Sequence, residues 1–420
     1  MNYCKRCMYP ANSRPTIIFD DYGVCSGCRT IESRKKIDWN ERNKKLEKLL
    51  KEYKEKSKKN NSIYDCVIPV SGGKDSMYQT YLIKEVYKMN PLLVTFNHTY
   101  NTQIGINNLR NLVKQFNCDL IRFTVNRDSI KKITNFMLSE IGDITWHYHA
   151  GIMTFPIQVA AQYKIPLIIW GEEGFSELTG MFNQDDMVEF TKMKRQEHDM
   201  RGYEPEDLIK LSKGKITKKD LAPYFYPDDE IIEKIGVRGI YLSNYVSWNA
   251  KAQAELMIKK YNFEVLDNPK DRTFNTYDKT DDAANGTHDY LKYLKFGYGR
   301  ATDDASTEIR HGRMTREEGI KMVKKYDSQR PKDLDFFLDF LEITEKEFFE
   351  SIEKLRDPEI WKKNSKGLWE TKDNISNHIN EEGTDKARVK KIDNKSKTKF
   401  LKSQDYKKKE KEYYNDFIIL

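Results

Sequence analysis

Long hydrophobic runs are absent from this 420-residue sequence. No apolar stretch approaches the roughly 18 residues that a membrane-spanning helix requires, and the first residues, MNYCKRCMYP, lack the apolar core of a signal peptide. We therefore expect a soluble, cytoplasmic protein without a membrane partner. Disorder of the whole chain is also excluded, because hydrophobic residues make up 38% of the sequence. The length predicts two or three folded units.

A basic body is absent as well, although the formal net charge is +8. Residues 34–59 and residues 386–420 each carry twelve Lys or Arg residues against five Asp or Glu residues. The rest of the chain is therefore acidic overall, and the positive charge is confined to a connector and a tail. Because a nucleic-acid groove needs basic residues on the folded body, this distribution argues against nucleic acid as a partner.

Cysteine is scarce, and most of it lies at the start of the chain. Of six cysteines, four form two Cys-x2-Cys pairs: Cys4, Cys7, Cys25 and Cys28. Two such pairs at this separation are typical of a zinc ribbon, in which four thiolates bind a structural Zn²⁺ and leave no open coordination position. Two disulfides are the alternative, which a reducing cytosol disfavours. Cys66 and Cys118 lie at apolar strands, so we expect them in the core.

From residue 65 onward, apolar strands alternate with helical segments. The strands are predicted at 65–70, 91–96, 119–125, 166–170 and 239–242. This alternation predicts a parallel, doubly wound sheet. The expected order along the chain is a zinc ribbon at 1–31, a charged helical connector at 32–62, an α/β domain at 63–262, a mostly helical region at 263–360 and a basic, flexible tail at 361–420.

A Walker A motif is missing, but a related loop joins the first strand to the first helix. Two glycines let backbone N–H groups approach an anion closely, and the helix N-terminus that follows favours negative charge. The two serines add hydroxyl groups, Lys74 adds a positive charge, and Asp75 is placed either to cap the helix or to reach Mg²⁺. We therefore predict an anion site formed by Ser71, Gly72, Gly73, Lys74, Asp75 and Ser76.

Three segments carry a resemblance to known enzymes. The SGGKDS string resembles the loop of the PP-loop ATP pyrophosphatases, which holds the pyrophosphate of ATP while a substrate oxygen is adenylated. Together with the CxxC-MYP…CSGC segment and GYGRATDDASTEIRHGRMTREEG, it resembles the N-acetyl sugar amidotransferase family over about residues 1–360. The resemblance implies a PP-loop domain at 63–262, a substrate-binding region at 263–360, and ATP and Mg²⁺ as cofactors beside Zn²⁺.

The reaction that the resemblance implies is ATP-dependent amidination in the synthesis of surface-glycan, lipopolysaccharide O-antigen or flagellin sugars. An N-acetyl oxygen of a nucleotide-activated sugar is adenylated, with Lys74, Asp75 and Ser76 as catalytic residues, and ammonia then displaces AMP to leave an acetamidino group. No cysteine is placed as the nucleophile of a glutaminase. The resemblance therefore implies a separate glutaminase partner like that of imidazole glycerol phosphate synthase.

Polar residues follow the fourth predicted strand at Gly171, Glu172 and Glu173. The carboxyl end of a parallel strand faces the ligand crevice, so we expect these residues to bind the nucleotide, with one of the two glutamates holding Mg²⁺. A solvated acidic loop is the alternative. Upstream, one of His147 and His149 is a candidate for the site, with a structural role as the alternative for each.

The segment 296–313 is rich in groups that bind sugars and phosphates. Arg gives bidentate contacts to carboxylates or phosphates, and Asp accepts hydrogen bonds from sugar hydroxyls. We predict substrate binding by Arg300, Asp303, Asp304 and Arg310, and we place Lys295 near the transferred phosphates. The alternative is a helix stabilised by ion pairs between its turns.

Two other functions compete with this interpretation. Some tRNA-thiolating PP-loop enzymes also carry N-terminal zinc ribbons, but they commonly use additional cysteines, and here only Cys66 and Cys118 remain. A non-enzymatic zinc-ribbon scaffold would require a decayed loop, whereas the SGGKDS loop is intact. Both observations favour the amidotransferase.

Overall fold

A five-stranded parallel sheet forms the centre of the protein. This computed structural model describes residues 2–381 and residue 383. The strands are β1 (Cys66–Pro69), β2 (Pro91–Asn97), β3 (Leu120–Thr124), β4 (Leu167–Trp170) and β5 (Arg238–Tyr241). They lie in the order β3-β2-β1-β4-β5, and every neighbouring pair is parallel. The predicted doubly wound α/β fold is confirmed.

Helices follow the strands throughout the chain. In chain order they are α1 (Ser26–Arg34), α2 (Trp39–Lys59), α3 (Lys74–Thr80), α4 (Gln103–Phe116), α5 (Arg127–Ile141), α6 (Trp146–Ile152), α7 (Phe155–Gln162), α8 (Gly174–Thr179), α9 (Lys192–Lys194), α10 (Pro205–Leu211), α11 (Lys218–Leu221), α12 (Asp229–Ile235), α13 (Ala250–Tyr261), α14 (Asn285–Phe296), α15 (Arg300–Arg310), α16 (Arg316–Tyr326), α17 (Asp333–Leu341) and α18 (Glu345–Glu353). A π-helical segment, Tyr81–Val86, continues α3. Within the described residues, no helix is both long and apolar enough to span a bilayer.

The two faces of the sheet are covered by different helices. One face packs against α2, α3, α4 and α13, and the other packs mainly against α7, with α12 at its edge. The connector helix α2 docks through its apolar stripe of Leu46, Leu49, Leu50 and Tyr53, which the sequence predicts. The Asp38 carboxylate caps the N-terminus of this helix by accepting backbone hydrogen bonds. A second core joins α5 and α6 to α14, α17 and α18.

The cysteine-rich N-terminal segment packs on the C-terminal helices rather than standing apart. Its four cysteines share one apolar cluster with residues of α15 and α16. The Ser306 hydroxyl donates to the Cys7 carbonyl at 2.9 Å, and the Tyr9 hydroxyl donates to Asp303 at 2.7 Å. The first and last parts of the described chain therefore form one unit.

Residues 361–381 are folded, so the prediction of a flexible tail from residue 361 is wrong over this range. Strands β6 (Trp361–Lys363) and β7 (Trp369–Thr371) form an antiparallel hairpin. Trp361 is buried, and Arg316 donates to the His378 carbonyl at 2.8 Å. The apolar Trp and Ile side chains supply contacts that the charge-rich composition obscures. The rest of the predicted tail, from residue 384 onward, lies outside the described residues.

Candidate active site

A cleft of about 700 Å³ opens at the carboxyl ends of the central strands. The strand order reverses between β1 and β4, because the chain runs from β1 outward to β3 and then returns to place β4 beside β1. Loops diverge from such a point, and ligands of open α/β sheets bind there. The loop after β1 and the loop after β4 both line the cleft, and residues 275–313 close it from the opposite side.

The loop after β1 has the compact geometry that an anion site requires. The backbone N–H of Ser71 donates to the Ser76 hydroxyl at 2.9 Å, and that of Gly73 donates to the Ser71 hydroxyl at 3.3 Å. Gly72 has a φ of +96°, and a Cβ there would lie 2.5 Å from the Gly105 carbonyl oxygen. Gly72 therefore shapes the loop without lining the cleft, whereas the other five predicted loop residues line it.

Lys74 is a buried cation held between carboxylates. Its Nζ lies 2.7 Å from Asp75 Oδ2, and it also forms an ion pair with Asp278. Burial acts to lower the pKa of Lys74, but the charges of Asp278 and Asp75 outweigh it and raise this pKa well above the usual value. The lysine therefore remains charged and faces the cleft.

Carboxyl groups crowd the same end of the cleft. Burial and then the charge of Glu177 raise the pKa of Glu172 well above its usual value. Burial also raises the pKa of Asp304, to about 7, against the opposing charge of Arg300. A divalent cation would relieve this repulsion, and Mg²⁺ prefers carboxylate oxygens.

Asp75 and Glu172 are the residues that fit a Mg²⁺ ion best. The Oδ1 atom of Asp75 is buried without a hydrogen-bond partner. The neighbouring Glu173 also lines the cleft, but its Oε2 accepts the Ser176 N–H at 2.7 Å and caps α8, and its Oε1, which has no hydrogen bond, lies 3.5 Å from Lys194 Nζ. Gly171 does not line the cleft; a side chain there would collide with Gln79. The sequence therefore places this loop correctly, while its residues differ in role.

Three of the four predicted substrate-binding residues, Arg300, Asp303 and Asp304, line the cleft from α15. Asp303 is already satisfied, because both of its carboxylate oxygens lie 2.7 Å from Lys292 Nζ. Arg300 forms ion pairs with Asp289 at 3.2 Å and with Asp303 at 3.7 Å. The ion pairs that the sequence offers as the alternative are therefore present, on residues that also line the cleft.

Arg310 and Lys295 do not lie in the cleft, contrary to prediction. The Arg310 guanidinium donates to the Leu178 carbonyl at 2.7 Å and borders the cysteine cluster. A helix rises about 1.5 Å per residue, so ten residues separate Arg310 from Arg300 by about 15 Å. Lys295 donates to the carbonyls of Ile141 and Gly142 at 2.9 and 3.0 Å, at the end of α5.

The four N-terminal cysteines converge at one point. All four Sγ atoms lie within 4.8 Å of one another, with Cys4–Cys28 at 4.0 Å and Cys7–Cys25 at 3.5 Å. A tetrahedral zinc site with Zn–S bonds of about 2.3 Å has S–S edges of about 3.8 Å. Three backbone N–H groups, including that of Cys25 at 3.3 Å, point at Cys4 Sγ. The four thiolates could therefore hold a metal ion, and their geometry fits Zn²⁺.

Of the two candidate histidines, His149 lines the cleft and His147 lies in the core. Burial lowers the pKa of His149 to about 4 and that of His147 to about 3. Cys66 and Cys118 are core residues, as predicted. Burial raises the pKa of both thiols, that of Cys118 to about 11, so neither is a reactive thiolate at neutral pH.

Sequence reasoning missed the segment between α13 and α14, which supplies much of one cleft wall. The missed residues in and around it are Asn275, Tyr277, Asp278, Lys279, Asp281 and His288. Their signal is the density of aspartate between residues 278 and 289 in an otherwise irregular stretch. His98, at the end of β2, is a further missed residue.

The C-terminal wall of this cleft matches a known family. Residues 271–376 match the family described as "LPS biosynthesis protein WbpG-like, C-terminal domain". This segment is therefore similar to that domain, and residues 271–376 are called the WbpG-like domain below. It includes α15 and the aspartate-rich segment of the cleft. The match confirms, for this part of the chain, the family resemblance inferred from the sequence.

Other relatives cover parts of the chain. The uncharacterized protein MJ1599 of Methanocaldococcus jannaschii is 30% identical over 125 residues, which are 30% of this chain and 43% of that protein. This chain therefore matches less than half of that relative's length.

Two solved structures are also similar. The NH3-dependent NAD synthetase of Campylobacter jejuni is 15% identical and covers 47% of this chain and 92% of its own, with a TM-score of 0.26. The NMN synthetase of Francisella tularensis is 15% identical and covers 48% of this chain and 82% of its own, with a TM-score of 0.27.

Proposed function

We propose that the protein is an ATP-dependent amidotransferase of lipopolysaccharide or other surface-glycan biosynthesis. Its substrate is a nucleotide-activated sugar, whose N-acetyl group it converts to an acetamidino group. The observation that carries the proposal is the cleft itself, in which the Ser71–Ser76 loop faces the WbpG-like domain. An anion loop and a domain of glycan enzymes thus border the same space.

The two sides of the cleft are proposed to bind different substrates: the loop side binds ATP, and the WbpG-like side binds the nucleotide sugar. On the loop side, backbone N–H groups, the serine hydroxyls and Lys74 bind the pyrophosphate that leaves ATP and stabilise its charge. Asp75 and Glu172 would hold Mg²⁺, which neutralises charge on the phosphates. On the WbpG-like side, Arg300 and Asp304 offer donors and acceptors to the nucleotide sugar.

The reaction has two steps, and its atoms balance. The amide oxygen of the N-acetyl group attacks the α-phosphorus of ATP, which forms an O-adenylate and releases pyrophosphate. Ammonia then forms a bond to the former carbonyl carbon, the C–O bond breaks, and AMP leaves with the original oxygen. Adenylation is needed because an unmodified amide is a poor electrophile with a poor leaving group.

Ammonia is proposed to come from a partner glutaminase resembling that of imidazole glycerol phosphate synthase. All six cysteines of the chain are described and buried, four in the metal cluster and two in the core. None lines the cleft, so no thiolate is available there for attack on glutamine. The same inventory disfavours a tRNA thiolase, which commonly uses additional cysteines.

The decisive experiment combines ATP, Mg²⁺ and a panel of nucleotide-linked diacetamido sugars with either ammonium or glutamine. We expect AMP, pyrophosphate and a sugar product about one mass unit lighter, because NH replaces O, with ammonium alone as the donor. Asp75→Asn serves as the inactive control. Formation of ADP and phosphate, glutamine use by this chain alone, or sulfur transfer to tRNA would each contradict the proposal.

A further inference from the structure

Four histidines line the cleft; His311 contacts Glu177, and the other three lie near one another and have no role in the proposed function. They are His98, His149 and His288, here called the histidine wall. The chain has only seven histidines, so nearly half of them are gathered here. His98 follows β2, His149 lies in α6 and His288 lies in α14. Three separate parts of the fold therefore bring imidazoles to one place.

Thr145 sets the tautomer of two of these imidazole rings, those of His149 and His288. Its hydroxyl lies 2.7 Å from Asp143 Oδ1, 3.2 Å from His149 Nδ1 and 3.3 Å from His288 Nδ1. Asp143 is ionised, because its ion pair with Arg201 outweighs burial and lowers its pKa. The single hydroxyl hydrogen goes to this carboxylate, so both Nδ1 atoms must donate to the hydroxyl oxygen. Each ring then keeps a lone pair on Nε2.

The lone pairs on Nε2 are available at neutral pH. Burial lowers the pKa of His149 to about 4 and that of His288 well below its usual value. Charges of both signs face the two rings: Asp143 and Arg201 act on His149, and Lys279 and Asp289 act on His288. Neutral imidazoles with a fixed Nδ1–H are hydrogen-bond acceptors toward the cleft and do not repel or protonate a bound amine.

His98 adds an independent sign of a missing ligand. Its side chain is 5% exposed, and both ring nitrogens are buried without a hydrogen-bond partner. Both ring nitrogens of His147 are in the same state, but His147 lies in the core, whereas His98 lines the cleft, where a ligand can complete it. The Tyr148 ring lies between the members of the wall, with its centroid 5.8 Å from that of His98 and 4.7 Å from that of His149.

We infer that the histidine wall is the subsite for the ammonia nucleophile and accepts the proton that the amidination step releases. The inference rests on the proposed function. A ligand for neutral acceptors carries N–H donors and no negative charge, which describes ammonia and not a phosphate. Lys74 and the Ser71–Ser76 loop, which line the same cleft, take the anionic groups. The cleft thus separates a phosphate side from an amine side.

The proton balance of this step is explicit. When ammonia adds to the adenylated carbon, its nitrogen becomes an ammonium centre with three hydrogens. One proton passes to Nε2 of His149 or His288, while Nδ1–H remains bonded to Thr145. The nitrogen lone pair so restored forms the new C=N bond and expels AMP. General-base catalysis by a positioned group contributes roughly 100-fold at the low end of its range, where a base with a pKa below the working pH belongs.

The test separates the two steps in the full-length protein. Sugar-dependent exchange of pyrophosphate into ATP reports adenylation alone, and mass spectrometry of the product with ammonium reports amidination. The His149→Gln/His288→Gln variant should keep exchange within about twofold and lose amidination roughly 100-fold. Hydroxylamine, whose adduct loses its proton readily to water, should still capture the adenylate. His378→Gln, outside the cleft, should leave all three readouts unchanged.

Each other outcome has a definite meaning. Equal loss of exchange and amidination would overturn the inference, because the histidines would then serve the sugar or ATP, and unchanged amidination would overturn it as well. Absence of exchange in the unaltered protein would instead refute the proposed function. If the double variant does not fold, Thr145→Val and Thr145→Ser decide. Thr145→Val should raise the KM for ammonium, and Thr145→Ser, which keeps the hydroxyl, should not. The same KM for ammonium in the two variants would overturn the inference.

Discussion

The Nη2 atom of Arg310 lies 3.6 Å from the Sγ atom of Cys25, so a guanidinium borders the four-cysteine cluster. Gly27 makes this approach possible, because a Cβ there would lie 2.6 Å from the guanidinium carbon. One Zn²⁺ with four thiolates carries two net negative charges. Arg310 would therefore balance the charge of a zinc ion bound by the four cysteines, and it ties the cluster to α8 through the Leu178 carbonyl.

We predict that Arg310→Met weakens both the fold and the metal site. Removing one partner of a buried charge pair costs about 3 kcal/mol or more, because the remaining charge stays buried without compensation. Denaturant unfolding should show this loss, and a colorimetric chelator should withdraw zinc faster than from the unaltered protein. Arg330→Met is the matched control, since Arg330 pairs with Asp335 on the surface. Equal zinc release from all three proteins would contradict the assignment.

Lys74→Met should abolish ATP cleavage without unfolding the protein. Lys74 is the cation of the loop, and the loss of one such donor reduces kcat by roughly 100-fold or more. The measurement is the rate of AMP and pyrophosphate formation with the preferred sugar and ammonium. Lys51→Met, at an exposed position of α2 outside the cleft, is the control. Retained activity in Lys74→Met would mean that pyrophosphate leaves elsewhere.

Asp304 should make stability fall as the pH rises. Its pKa is raised to about 7 in the folded protein, mainly by burial, against about 4 in the unfolded chain. The folded state therefore binds the proton more tightly, and this stabilisation is complete below about pH 4 and is lost as the pH rises through about 7. Asp304→Asn, which cannot ionise, should flatten this part of the pH profile of thermal unfolding. An unchanged slope would contradict the raised pKa.

Trp361→Ala should destabilise the protein by about 3 kcal/mol, as expected for a large buried ring. Trp361 is 5% exposed, with the Arg356 guanidinium 4.5 Å from its ring centre and Tyr293 packed at 5.5 Å. Trp369, in the other strand of the hairpin, is less buried, and Trp369→Ala should cost less than half as much. Similar, small losses for both variants would show that the hairpin does not stabilise the body.

The features predicted correctly from the sequence are those set by short-range pattern. Strand–helix alternation predicts the sheet, the CxxC spacing predicts the cysteine cluster, and Ser71–Ser76 is identified by its place between a strand and a helix. Each depends on neighbours within a few residues. The roles of Gly72 and Gly171 cannot be predicted from such short patterns. They depend on tertiary neighbours, because Gly105 lies against Gly72 and Gln79 lies against Gly171.

The features that the sequence missed depend on helix direction and tertiary packing. Arg300 and Arg310 look equivalent in a polar segment, but they occupy opposite ends of α15 and so reach different surroundings. Lys295 resembles a phosphate ligand, yet it caps the end of α5. His98, His149 and His288 come from three segments that are distant in the sequence. No local sequence pattern predicts that they lie close together in the fold.

The hydrogen bond from Ser306 to Cys7 joins residues that are 299 positions apart in the sequence. Cys7 is therefore synthesised well before its partner. At about 5–20 residues per second, a ribosome needs roughly 15–60 s to travel from one partner to the other. During that interval the emerging cysteines lack the apolar surface of α15 and α16 that later buries them. The four thiols therefore lack their apolar cover until α15 and α16 have been synthesised.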